Sequence, residues 1–265
     1  MIAVLFKREL KRNFKSFAAA TIMCGAMAAY IVSMADGMGQ DIQVILDVKL
    51  PKSLQAAFGM GGLDFNSAGN VFALSFSYIY LFISIFFANV FATIMSKEFS
   101  NKTAEYLFSL PVTRVQAILT KLSVASMYTV LCVVSVFLLS WLSFEMNVSS
   151  GYDLKPVILM SLAWLMGGLF FGAAAFLISS FVATSGTVSF ISSGFVMVLY
   201  ILQIIVALNP NLDFVKYFSP FDWFKGADIV MNGELSLTYS LIAICATIVF
   251  TLLGIRRYTK MEVLI

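Results

Sequence analysis

The chain has 265 residues, 60% of them hydrophobic and 12% charged, with a net charge of +3 and a mean hydropathy of +0.93. So few charges cannot cover a water-facing surface, which excludes an ordinary soluble domain, and no nucleic-acid partner is expected. Histidine is absent, removing the commonest general base and metal ligand, so no catalytic residue and no metal site are expected.

Residues 1–16 open the chain with a patterned helix. Phe6, Leu10, Phe14 and Phe17 recur at helical spacing, and Lys7, Arg8, Lys11, Arg12 and Lys15 flank them. Aromatics on one face and cations beside them suit an interfacial helix, with rings at the acyl boundary and cations on anionic headgroups. A crossing helix needs about 20 mainly apolar residues. The first such run is 17–35. Ser33-Met34-Ala35 resembles a signal-peptide cleavage site, but the run is long for a signal and follows a patterned helix, so it is read as span one. Span two is placed at 71–95 and span three at 122–144. No charge occurs from Pro156 to Leu212; as one helix this stretch would be about 85 Å long, so it must fold back. The small, polar stretch Ser179–Gly186 is the expected turn, giving spans four and five at 156–178 and 189–208. Span six is 238–255. Long uncharged runs, unlike the alternating strands of a barrel, make this an all-α polytopic membrane protein with six transmembrane helices and a single transmembrane domain over 1–265.

With six spans both termini share a side. Lys97, Lys102, Arg114, Lys121, Arg256, Arg257 and Lys260 join the N-terminal cations there, against Lys49, Lys52, Lys155, Lys216 and Lys225 opposite. The positive-inside rule places both termini in the cytoplasm of a cell-membrane protein.

Between spans two and three, residues 96–114 form a cytoplasmic segment. Phe99, Thr103, Tyr106, Leu107 and Leu110 follow helical spacing, Glu98 and Lys102 can pair at i, i+4, and Pro111 should end the helix. Glu98, the stretch Lys102-Thr103-Ala104-Glu105-Tyr106-Leu107 and the closing Leu110-Pro111-Val112-Thr113-Arg114 resemble the motif between spans two and three of type-2 ABC transporter permeases. The basic N-terminal helix, the six spans and Arg256-Arg257 are similar to that family too. Where the family often continues with an acidic residue after such a pair, Tyr258 and Thr259 follow here.

The resemblance implies that 96–114 is a coupling helix docking on an ABC ATP-binding subunit. Glu98, Lys102, Glu105 and Arg114 would make its polar contacts, and Phe99, Tyr106 and Leu107 its apolar ones, with Thr103 between them. The chain lacks a G-x-x-x-x-G-K-[ST] phosphate loop. It is therefore not an enzyme by itself and holds no cofactor; ATP and Mg belong to the partner ATPase, expected in two copies. A second permease chain, identical or related, and the lipid bilayer complete the expected partners.

No span carries an obvious buried charge. Ser77, Tyr78, Ser84, Asn89 and Gln203 are candidates to line a path, although hydroxyls also serve as packing contacts. Gly167, Gly168 and Gly172 read as close-packing positions, and Cys24, Cys132 and Cys245 as small buried hydrophobes. Tyr217–Phe224, aromatic around Pro220, should lie at the outer interface or dip into the bilayer. The function that follows is the permease of an ATP-driven exporter. Its aromatic, weakly charged interior suits an amphipathic peptide, peptide antibiotic or lipid-like molecule. The alternatives are an ion-gradient-driven secondary transporter, which should show ionisable or helix-breaking residues at the midplane, and an ABC permease for a small ion.

Overall fold

A computed structural model describes residues 2–49, 51, 54–55, 59–61, 63, 67–101, 112–148, 152–182 and 184–260, and for residues 35–49, 210, 211 and 213 the backbone alone. These residues form α1 (Ile2–Lys49), α2 (Ala68–Ser100), α3 (Arg114–Asn147), α4 (Leu154–Ser179) and α5 (Ser185–Leu208). A 3-10 helix (Pro210–Phe218), the short α6 (Pro220–Trp223) and α7 (Gly226–Asn232), and α8 (Leu237–Lys260) complete the order, with no strand among the described residues. Six helices are long and apolar enough to cross a membrane, and each contains one of the six expected runs. The chain is an all-α, multi-pass membrane protein.

The helix ends follow local chemistry. Ser67 caps α2 by accepting from the Asn70 amide at 3.3 Å, and Asp153 caps α4 through the Lys155 amide at 2.9 Å. Thr113 starts α3 with a reciprocal capping box: its hydroxyl accepts from the Gln116 amide, and the Gln116 side chain accepts from the Thr113 amide. The turn expected at Ser179–Gly186 is observed between α4 and α5.

The N-terminus differs from expectation. No boundary separates an interfacial helix at 1–16 from span one: α1 runs unbroken for 48 residues, about 72 Å at 1.5 Å per residue. The physical reason is the lack of any stop signal. No proline occurs before Pro51, so no proline interrupts the helix anywhere over Ile2–Lys49.

Helices α2 and α4 form the centre. Their apolar windows are 61% and 67% buried, against 22% for α5 and 17% for α8. They approach closely because α4 carries glycines at the contact: a side chain at Gly167 would overlap the Tyr80 ring, and one at Gly172 would meet Phe91 at 2.7 Å. Trp164 stacks on Phe76 with centroids 5.7 Å apart, and its indole N–H donates to the Phe76 carbonyl at 3.3 Å. Helix α1 packs chiefly on α3, and α8 on α4.

At the Ala68 end of α2, residues 219–232 wedge into the bundle. Phe221 is buried against Tyr80, Phe171 and Tyr200. Trp223 stacks on Tyr239, and Ser219 donates to the Leu199 carbonyl at 3.2 Å. Of the aromatic segment, Phe221, Trp223 and Phe224 are buried, whereas Tyr217 and Phe218 stay exposed.

Candidate functional site

At the other end of α2, where it leaves the apolar run, five charged side chains from three helices meet. Glu98 of α2 and Lys121 of α3 lie 2.8 Å apart, and Lys121 also reaches Glu9 of α1 at 3.0 Å. The Lys121 ammonium donates a third bond, to the Ile94 carbonyl at 3.1 Å. Arg12 closes the ring, 2.8 Å from Glu98 and 2.8 Å from Glu9. Arg8 stands further off, 3.4 Å from Glu9 and 3.7 Å from Glu98. Lys121 and Glu9 are fully buried and Glu98 is 3% exposed.

Helical phase puts these groups together. Glu98 follows buried Ile94 by four residues and buried Met95 by three, so it continues the inward face of α2. Glu9 follows buried Leu5 by four. Lys121 sits between buried Thr120 and Leu122, one turn after buried Ala117 and Ile118. A buried carboxylate or ammonium is tolerated only where charge and hydrogen bonds replace water. Here each charge meets at least two opposite or polar partners. The cluster therefore clips α1 to both helices that frame residues 101–113.

The aromatic row of α1 is also turned inward, against the expectation that it meets the acyl boundary. Phe6, Leu10 and Phe17 pack against the protein core, and Phe17 lies 4.5 Å from the Tyr128 ring. Tyr128 donates its hydroxyl proton to the Leu10 carbonyl. Phe14 alone of the row is exposed, at 56%. At Phe6, Leu10 and Phe17 protein thus takes the place foreseen for lipid, while Phe14 stays outward. Lys7, Arg8, Lys11, Arg12 and Lys15 remain on the outward side.

Within 96–114, Glu98, Phe99 and Arg114 contact the bundle. Glu98 is inside the cluster and not on a docking surface. Phe99 stacks on Tyr258 of α8 at 5.9 Å, and Arg114, exposed at the first turn of α3, donates to the Thr259 carbonyl at 3.5 Å. Tyr258 and Thr259 of α8 thus both meet this segment. Tyr258 also hydrogen-bonds Ser179 at 2.8 Å, while Arg257 donates to the Ser180 carbonyl and covers the Phe181 ring. Lys102, Thr103, Glu105, Tyr106 and Leu107 lie outside the described residues, as does Pro111.

The path candidates separate. Ser84 is fully buried with no hydrogen-bond partner among the described residues, and Gln203 is buried on α5. Ser77 is half-buried, and Tyr78 lines a groove of about 200 Å³ with Tyr30 and Met34. Asn89 bonds Ser193 of α5 at 2.7 Å and borders a polar cavity near Lys97. The structure does not bring these five into one channel.

Sequence reasoning missed Glu9 and the pairing role of Lys121. Their signal was present: Glu9 is the single acid among the cations of the first helical turns, three residues before Arg12 and in phase with Leu5.

Six span-length apolar helices and a connection flanked by a buried charge cluster describe a multi-pass membrane subunit. Its sequence matches the family described as ABC-2 family transporter protein over residues 4–263, and the chain belongs to that family. It is the membrane permease subunit of an ABC transporter, which implies an ATP-binding partner. No curated relative matches the chain.

Proposed function

We propose that this permease serves an ATP-driven exporter, and that the Glu9–Glu98–Lys121–Arg12 cluster transmits the partner's work into the membrane. In this reading the ATP-binding subunit, in two copies carrying ATP and Mg, grips residues 96–114. Two permease chains, identical or related, face each other around the path. Both termini lie in the cytoplasm of the cell membrane. Because Glu98 is buried, its role is to hold the lever to α1 and α3; Glu105, Lys102 and the apolar Tyr106 and Leu107 remain the proposed contacts with the partner.

The observation that carries this is the position of the cluster. It binds the end of α2, the start of α3 and the N-terminal part of α1, so displacement of the connection moves three helices together. Interiors this closely packed transmit strain and do not absorb it. The cargo is read from composition: an aromatic, weakly charged bundle suits an amphipathic peptide, a peptide antibiotic or a lipid-like molecule.

The test uses the permease co-expressed with its ATP-binding subunit. Glu105→Lys should leave the folded permease intact, with unchanged thermal stability, yet weaken co-purification of the ATPase and uncouple hydrolysis from transport. Co-purification and coupling at wild-type levels in Glu105→Lys would remove the docking assignment.

A further inference from the structure

A cavity of about 320 Å³ opens beside the charge cluster, between α1, α2 and α5. Asn13 and Ser16 border it from α1, Asn89, Thr93 and Lys97 from α2, and Ser185 and Ser189 from α5. Its volume falls within the range of small-molecule sites. Along α2 the lining changes character: Phe86 and Val90, with Asn89 between them bonded to Ser193, form one end, and Thr93 and Lys97 the other. The eleven-residue step from Phe86 to Lys97 spans about 16 Å. The cavity is therefore amphipathic along its length.

The charge beside it is unbalanced. Among the described residues, Arg8, Arg12 and Lys121 bring three positive charges to the cluster against the two carboxylates of Glu9 and Glu98. Lys97 adds a fourth cation, half-buried at the cavity wall, and no ion pair within 4 Å joins it among the described residues. An excess of cations in partly dehydrated surroundings favours an anion, because attraction strengthens as water is excluded. Lys97 lies just past the last apolar residues of span two, at the height where lysines reach phosphate headgroups.

We infer that this cavity binds a phosphate group carried on an amphiphile. The phosphate accepts from Lys97 and from the neighbouring Asn13 and Ser16 side chains, and the apolar portion runs toward Val90 and Phe86. Gly186 borders the same space, and a Cβ built there meets nothing within 4 Å. A larger side chain at Gly186 can thus enter the cavity without displacing protein. The inference does not depend on ATP coupling, and its readout is lipid retention, so either reading can fail alone.

The experiment reconstitutes the full chain, wild type and variants, in nanodiscs of equal parts phosphatidylglycerol and phosphatidylcholine, and weighs retained lipid by native mass spectrometry after partial delipidation. The wild type should retain phosphatidylglycerol preferentially, and Lys97→Gln should reduce that retention about tenfold, the loss of one charge-assisted hydrogen bond. Lys97→Arg should restore it. Gly186→Leu should reduce it while thermal stability stays unchanged, which separates occlusion from unfolding. Stabilisation of delipidated wild type, but not of Lys97→Gln, by inorganic phosphate alone would support the phosphate site and assign it to a soluble ligand. Equal retention in wild type and Lys97→Gln with no response to phosphate would overturn the inference. A change of oligomeric mass in Lys97→Gln with retained lipid unaltered would overturn it too, and make the cavity part of a chain–chain contact.

Discussion

Helix α2 is held at Glu98 by an ammonium and guanidinium groups, and near its first turns by rings: Phe72, Phe76 and Tyr80 pack on Phe144, Trp164 and Phe221. The ring-lined end is continuous, non-directional packing, drawn tight by backbone approach at Gly226, where a Cβ would lie 2.6 Å from the Ala73 carbonyl oxygen. The charged end has few contacts, each directional and each dependent on the others. Packed rings resist small displacements in all directions, whereas a charge cluster keeps its partners together and releases them when one charge is neutralised. The two ends thus suit an anchor and a connector respectively.

The largest effect that could break this comparison is Lys121→Met. It leaves Glu9 and Glu98 facing each other in a buried site, and the loss expected is about 3–5 kcal/mol, read from unfolding in detergent. A loss below about 1 kcal/mol would make the cluster an exposed, weakly coupled set of charges. At the other end, Gly226→Ala should cost about 1–3 kcal/mol by overpacking. That cost should appear as faster hydrogen exchange over residues 219–232 with the cluster end unaffected.

Asp222 allows a finer comparison through pH. Its carboxylate is buried, with Oδ2 lacking a hydrogen-bond partner among the described residues, and Lys225 stands 2.6 Å from Oδ1. Burial raises the Asp222 pKa above its ordinary value, and Lys225 only partly opposes this. The folded wedge therefore binds the proton more tightly than the unfolded chain does. Stability of the wedge should be highest below the ordinary aspartate range and fall as pH rises through the raised value. Exchange over 219–232 should quicken across that window in the wild type and lose the dependence in Asp222→Asn. The smallest effect belongs to Arg8, 42% exposed and 3.4 Å or more from either carboxylate. Arg8→Gln should change stability by less than about 1 kcal/mol.

How much of this was legible in the sequence depended on the range of the signal. Spans 71–95 and 122–144 follow from local apolar length, and the turn between α4 and α5 follows from the length limit on a crossing helix. The merger of residues 1–16 with span one was missed because a change from charged to apolar residues marks a change of surroundings, not a helix end. Asn13 to Phe17 contain neither glycine nor proline. The cluster was only half visible. The motif around Glu98 implies an outward, partner-facing carboxylate, whereas its spacing from Ile94 and Met95 sets it inward. Its pairing with Glu9 and Lys121 depends on the rotation of three helices, which no local pattern records.

In the proposed function the buried charges carry motion from the ATP-binding partner into the membrane helices. The direct measurement is the ratio of cargo moved to ATP hydrolysed in proteoliposomes of the whole transporter, comparing wild type with Glu98→Gln, a near-isosteric change that removes one charge. Such coupling requires that hydrolysis persist while transport falls several-fold, with the ATPase still bound. An unchanged ratio in a folded Glu98→Gln permease would contradict it.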